Sequence, residues 1–336
     1  MTVSEVIAAA RGQVGPYCKA CPVCNGLACR NAVPGPGAKG LGTGFIRNYA
    51  KWQEICVNMD TICENKPVDT RFSCFGREFI LPVFAAPVGA MQLHYGDKYD
   101  DLTYNDTLVS ACAAAGIAAF TGDGTNPAVM KGALHAIKTA RSGIPTVKPW
   151  DEQTLFAKLS AAREADPAAI AMDIDAAGLP FLKNLTPPAG SKTVEELRRI
   201  VDAAGVPFIV KGIMTVKGAQ KAVEAGAAAI VVSNHGGRVL DQCPATAEVL
   251  PEIAAAVGDK VNIFVDGGIR SGLDVFKALA LGADAVLIGR PFVTMVYGAG
   301  AEGVAAYVNQ LKAELEDTMA MCGVHSLGEI TRDCVR

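Results

Sequence analysis

Short apolar runs, rich in β-branched residues and bounded by glycine, recur along most of this chain and alternate with segments of helical periodicity. Such runs read as buried parallel strands, because both of their faces are covered. Eight are expected: Val83–Pro87, Ile117–Thr121, Ile144–Lys148, Ala169–Asp173, Pro207–Lys211, Ala228–Ser233, Asn262–Asp266 and Ala285–Gly289. The helices expected between and after them are Asn105–Ala115, Pro127–Ala140, Asp151–Ala165, Val194–Ala204, Val216–Ala225, Ala245–Val257, Gly272–Leu281 and Glu302–Cys322. Eightfold strand–helix alternation predicts an α/β fold, a closed (β/α)8 TIM barrel, with an open parallel sheet as the weaker alternative. Ahead of it, the pattern predicts an amphipathic helix over Val3–Arg11, a helix over Phe45–Trp52 and a hairpin over Phe72–Ile80.

Composition narrows the class. The chain has 336 residues, 50% of them hydrophobic, and a net charge of -3. That suits a large packed core and gives nucleic-acid binding no basic patch to rest on. No apolar run reaches membrane-spanning length and no leader pattern opens the chain, so a cytoplasmic protein without a membrane span is expected. Of 11 cysteines, four crowd into Cys18, Cys21, Cys24 and Cys29, spaced C-x2-C-x2-C-x4-C. The spacing is close to a ferredoxin ligand run without matching it. An iron–sulfur cluster, a zinc ion, or no metal and a lid of reduced thiols all remain open. Residues Asn31 to Gly44, rich in Gly and Pro, read as a loop crossing the surface. We divide the chain into a Cys-rich extension, 1–44, and a barrel, 45–336. The other cysteines, such as Cys112 and Cys322, read as small core residues.

In a barrel of this type, chemistry gathers at the carboxyl ends of the strands. Those ends carry Asp173, Lys211, Ser233 with His235 and Arg238, Asp266, and Gly289 with Arg290. A neutral imidazole at a strand mouth can take a proton, and a guanidinium beside it can hold a carboxylate by two parallel hydrogen bonds. The turns Asp266-Gly-Gly-Ile-Arg-Ser-Gly272 and Ile288-Gly-Arg-Pro291 follow strands seven and eight, the usual phosphate site of these barrels. Arg270 and Arg290 would add charge-assisted bonds there.

Ile209-Val-Lys-Gly212, Ser233-Asn-His-Gly-Gly-Arg238, Asp266-Gly-Gly-Ile-Arg270 and Ile288-Gly-Arg-Pro291 resemble the FMN-dependent α-hydroxy acid oxidases and dehydrogenases, which include glycolate oxidase and lactate oxidase. The resemblance is dense from Val206 to about Ile330. It is weaker from Phe45 to Asp173, where Ala86-Pro-Val-Gly-Ala-Met-Gln92 is similar to the family's first strand. It implies FMN as cofactor, a small 2-hydroxy acid such as lactate or glycolate as substrate, and a homotetramer. His235 is then the base, Asp173 orients its imidazole, and Arg238 holds the substrate carboxylate. Lys211 lies by the flavin N1–C2 edge, and Ser233 also contacts the flavin. Asp266, Gly267, Gly268, Arg270, Gly289 and Arg290 hold the ribityl phosphate. Pro87, Val88, Gly89, Gly122 and Lys148 complete the cofactor contacts. No metal ligand is assigned, and the electron acceptor is open between oxygen, a quinone and a protein.

The chain also departs from that family. Gly122-Asp-Gly124 stands where Ser-Ser-Trp is usual, and Lys148-Pro-Trp150 where Gln-Leu-Tyr is usual. A second carboxylate-binding Arg has no counterpart in Ile174–Pro180. Lys148 is the candidate stand-in, and Trp52 or Trp150 the candidate pocket wall. The competing functions are a flavin barrel without net redox change, as in the type 2 isopentenyl diphosphate isomerases, and a non-catalytic flavin- or phosphate-binding scaffold.

Overall fold

A computed structural model of the chain describes residues 1–336 except 180, 181, 183–185 and 187. The end of the Ile174–Pro180 stretch therefore lies outside the described residues. Among the described residues ten strands are present: β1 Phe72–Cys74, β2 Arg77–Phe79, β3 Val83–Ala85, β4 Ala118–Thr121, β5 Ile144–Val147, β6 Ile170–Asp173, β7 Phe208–Ile213, β8 Ala229–Val232, β9 Asn262–Asp266 and β10 Ala285–Ile288. The last eight close into a parallel barrel in chain order, β10 pairing with β3. This is the expected (β/α)8 architecture, and all eight expected strands are found in place. β1 and β2 form the expected antiparallel hairpin.

Side chains two apart on a strand share a face. The barrel interior is therefore filled by alternate residues: Phe84 and Ala86, Ala118 and Phe120, Ala169 and Ala171, Ile209, Ala229 and Val231, Phe264, Ala285 and Leu287. Phe72, Phe75 and Phe79 of the hairpin close the amino-terminal end against Phe84 and Phe264, with ring centroids 5.0–6.3 Å apart in these contacts. The next inward position on each strand, above the aromatic layer, is Val88, Gly122, Lys148, Asp173, Lys211, Ser233, Asp266 or Gly289. Period-two geometry thus delivers the strand-end residues to one mouth.

Outside the barrel the expected helices hold, with shifted ends and two additions. The last helix begins at Arg290, directly after β10, and runs to Met321 with a break at Ala299 and Gly300. A short helix, Met91–Tyr95, follows β3. The amino-terminal helix Val3–Ala10 buries Val6 and Ala10, and Val6 packs against Gly298 and Gly303 of the last helix. Residues 31–44 do not simply cross the surface as expected. Gly35 to Ala38 are buried, threaded beneath Arg238 and Arg290, because those guanidinium groups need acceptors and backbone carbonyls supply them. Cys74, Cys112 and Cys322 are buried as expected, whereas Cys56 and Cys63 are exposed.

Candidate active site

The mouth opens into a cavity of about 460 Å³. That volume lies within the range of small-molecule and cofactor sites. Twelve of the thirteen residues expected to bind cofactor line it: Pro87, Val88, Gly89, Gly122, Lys148, Lys211, Asp266, Gly267, Gly268, Arg270, Gly289 and Arg290. Asp173, His235 and Arg238 line it too. Ser233 does not. It is fully buried behind the wall, where its hydroxyl accepts from Lys211 Nζ at 2.9 Å and from the His235 backbone N–H at 3.1 Å.

The turn bearing His235 is held in an uncommon conformation. His235 itself has φ 56°, and Gly236 and Gly237 have φ 62° and 81°. A non-glycine residue in the left-handed region costs of order 1 kcal/mol or more and persists only where its surroundings impose it. Here a buried amide pair does so. Asn48 and Asn234 exchange hydrogen bonds of 2.7 and 3.0 Å, and Asn234 Oδ1 also accepts from the Gly237 N–H. Gly44 lies so close that a Cβ on it would sit 2.9 Å from the Gly237 Cα.

The carboxylate hydrogen-bonded to His235 is Asp175, whereas the expectation fell on Asp173. His235 Nδ1 lies 2.9 Å from Asp175 Oδ1, whereas Asp173 Oδ2 is 3.9 Å from Nε2. The physical reason is the 3-10 turn Ile174–Gly178 that follows β6, which carries the second residue past Asp173 beneath the imidazole. Gly212 leaves room for it: with φ 104°, a Cβ there would lie 2.5 Å from Asp175 Cγ. Gly212 sits where the β7–β8 register shifts between Lys211 and Ile213. Asp173 instead receives Lys148 Nζ at 3.0 Å. Both carboxylates flank the imidazole, one at each nitrogen.

Burial opposes charge on Asp175 and on Lys211, and in each case the partners win. For Asp175, His235 and Lys211 outweigh desolvation and hold the carboxyl below its usual range. For Lys211, Asp266 at 3.2 Å, Asp175 and Asp173 outweigh desolvation and hold the ammonium above its usual value. Asp175 and Lys211 are thus both held in their charged forms next to an imidazole.

Arg238 is more engaged than expected. Its Nη1 donates to Gly35 O and Gly37 O, and its Nη2 to Pro34 O at 3.0 Å. A guanidinium has five N–H donors, so among the described residues Nε and one hydrogen of Nη2 stay free for a ligand. Burial and the neighbouring Arg290 bring it down to about 10, which leaves it protonated at neutral pH. Arg290 lies 3.9 Å over the Phe45 ring and donates to Pro36 O and Gly236 O. Arg270 donates to Cys24 O at 2.9 Å, while its Nη2 is buried and has no partner among the described residues.

Neither tryptophan walls the cavity. Trp52 and Trp150 are fully buried, donating to Gly267 O at 2.7 Å and to Asp123 Oδ2 at 2.6 Å. Asp123 also takes Lys158 Nζ at 2.6 Å and the Lys148 N–H at 3.1 Å, locking the loops after β4 and β5 together. Sequence reasoning missed Asp175 and also His94, which lines the cavity. The Asp-x-Asp spacing at 173–175 was the only available signal for the former. Among the described residues, no three His, Cys, Asp or Glu side chains converge in a metal-binding arrangement.

The residues present fit FMN. Asp173 Oδ1, Asp266 Oδ1 and Arg270 Nη2 are buried polar atoms without partners among the described residues, all on residues that line this cavity. A buried polar group without a partner is costly, so a polar ligand accounts for them better than an apolar one. The last helix, meanwhile, presents its amino terminus at Arg290, a natural seat for a phosphate.

Comparison with known proteins is consistent with this geometry. The model of the FMN-dependent dehydrogenase family matches residues 36–184 and 185–336. The chain belongs to that family. It is an FMN-dependent oxidoreductase family by description, and FMN is its cofactor. Among curated proteins, a peroxisomal (S)-2-hydroxyacid oxidase of Arabidopsis thaliana is 50% identical over 145 residues, 43% of this chain and 39% of its own length. An L-lactate oxidase of Roseobacter is 47% identical over 141 residues, 42% of this chain and 38% of its own. The aligned stretch therefore spans about two fifths of these relatives' length. Among solved structures, a mandelate oxidase variant with (S)-mandelic acid superposes with a TM-score of 0.81 at 27% identity, covering 100% of this chain and 97% of that one. The flavin-binding domain of baker's yeast flavocytochrome b2 shares the fold, with a TM-score of 0.80 at 23% identity over 90% of this chain and 80% of that one. No described helix is long and apolar enough to cross a membrane.

Proposed function

We propose that this chain oxidises a small L-2-hydroxy acid to the 2-oxo acid with FMN. One observation carries the reading: an imidazole on the cavity wall, tied through Nδ1 to Asp175 at 2.9 Å. With Nδ1 engaged by a carboxylate, Nε2 is the nitrogen left to act as base, and the two flanking carboxylates stabilise the imidazolium that results. His235 thus takes the proton of the α-hydroxyl. Arg238 holds the substrate carboxylate with the donors that Pro34, Gly35 and Gly37 leave free. When bound, FMN supplies the acceptor for the two electrons and the α-hydrogen of the substrate. Asp266, Gly267, Gly268, Arg270, Gly289 and Arg290 hold its phosphate end, and Lys148, Asp173 and Lys211 its ring. Lys211, kept protonated by Asp266, offers a fixed positive charge in a water-poor site, where charge counts most.

The names of the relatives, (S)-2-hydroxyacid oxidase and L-lactate oxidase, support the substrate class, as does the (S)-mandelic acid named with the mandelate oxidase structure. The test is anaerobic addition of lactate, glycolate and other 2-hydroxy acids to the yellow holoprotein. Bleaching of the flavin band is expected. A flavin that stays oxidised through a broad panel would overturn the reading.

A further inference from the structure

The cavity holds a second imidazole that the proposed chemistry does not use. His94 stands on the short helix Met91–Tyr95, which is anchored by Tyr95, itself packed on Tyr297, and by Asp101, which accepts from the Met91 N–H at 3.3 Å. His94 Nδ1 lies 2.8 Å from Gly89 O. A carbonyl oxygen can only accept, so Nδ1 carries the hydrogen and Nε2 is left as a bare acceptor. Nε2 is buried and has no partner among the described residues. Burial, followed by the nearby positive charge of Arg238, Lys148 and His235, brings this imidazole down to about 4. It is therefore neutral near pH 7 and too weak a base to compete with His235 for a proton.

An acceptor-only group on a residue that lines a ligand cavity selects a donor. A 2-hydroxy acid offers two polar groups at its reacting end. The carboxylate only accepts, and the α-hydroxyl donates to His235. A donor for His94 then comes from FMN, through its ring N3–H or ribityl hydroxyls, or from elsewhere on the substrate. We infer that His94 is a specificity-determining residue that reads a hydroxyl beyond the α-carbon, so that the pocket favours a 2,3-dihydroxy acid over its alkyl counterpart. This rests on the hydroxy-acid reading above and narrows it. A site built around a hydrogen bond rejects the analogue lacking it, because the analogue leaves the buried acceptor unpaired.

L-glycerate and L-lactate share one carbon skeleton and differ by the single hydroxyl in question, so they are the test pair. Anaerobic flavin reduction by the holoprotein should favour glycerate in kcat/KM by at least about tenfold. His94→Leu should erase that preference, and His94→Gln, which keeps an acceptor, should restore part of it. Preference for lactate in the native protein, or a glycerate-to-lactate ratio unmoved by His94→Leu, would overturn the inference. Failure of the hydroxy-acid reading looks different, with no acid reducing the flavin at all. Nitrogen-15 NMR of the resting holoprotein judges His94 in that case as well. A neutral ring protonated at Nδ1 at pH 7 is expected, and a charged ring there would overturn the assignment.

Discussion

The two ends of one barrel solve opposite problems. At the amino-terminal end, Phe72, Phe75 and Phe79 lean on Phe84 and Phe264 to make a dry aromatic plug. At the carboxyl ends of the barrel strands, Lys148, Asp173, Lys211 and Asp266 stand around an open cavity, paired as Lys148 with Asp173 and Lys211 with Asp266. The plug gains from leaving water and needs no partner. The mouth buries charges whose desolvation is recovered only by mutual pairing, so removing one member leaves another stranded. Stability is thus concentrated at one end and reactivity at the other, on a shared set of strands.

A set of substitutions and one titration sharpen that contrast. The largest effect belongs to His235→Gln. Flavin reduction should fall by roughly 10²–10⁴-fold, the usual worth of a general base. The flavin spectrum and the melting temperature should stay near native; full reduction rates in that variant would remove His235 from the mechanism. Next, Phe84→Ala in the plug should cost about 3–5 kcal/mol of stability, as large aromatic deletions in cores do. Denaturant titration reads the loss, and comparable damage to the intrinsic reduction step of the folded fraction would erase the distinction between the two ends.

Asp175→Asn should slow reduction by roughly 10²-fold, within the general-base range, because it releases the imidazole from its orienting partner. Asp173→Asn should slow it less, since Asp173 touches Nε2 only at 3.9 Å. Reversed ranks in stopped-flow traces would return the orienting role to Asp173. The smallest effect is the acid response of His94. Its folded value, about 4, lies below its ordinary 6.5. Between those values the unfolded chain binds a proton that the folded chain refuses. Stability is therefore complete above about pH 6.5 and falls with acid, by about 1.4 kcal/mol per pH unit from this group. His94→Gln should flatten that part of a plot of unfolding free energy against pH; an unchanged slope would show that His94 is not buried neutral.

Much of the barrel was legible because strand periodicity is local. Apolar runs ending in Asp173, Lys211, Ser233 and Asp266 announce both a buried strand and the residue that emerges at its mouth. The motif around His235 and Arg238 was legible for the same reason, being contiguous in the chain. Misreadings arose where contacts join distant segments. Trp52 and Trp150 looked like pocket walls, yet their indole N–H groups find Gly267 and Asp123 across the fold and draw the rings into the core. His94 carried no signal, since nothing around Met91–Tyr95 in the sequence says that the helix tips an imidazole into the cavity.

By itself, then, the order of residues determined the eight strands, the mouth at which their polar ends meet, and the family to which the motifs point. Those depend on period and spacing, which are properties of short stretches. Only the tertiary structure decided that Asp175 rather than Asp173 holds the imidazole, that Arg238 is shared with the carbonyls of Pro34, Gly35 and Gly37, and that His94 joins the site. A hydrogen bond depends on angstrom-scale distances between segments up to some two hundred residues apart, and these follow from the packing of the whole chain.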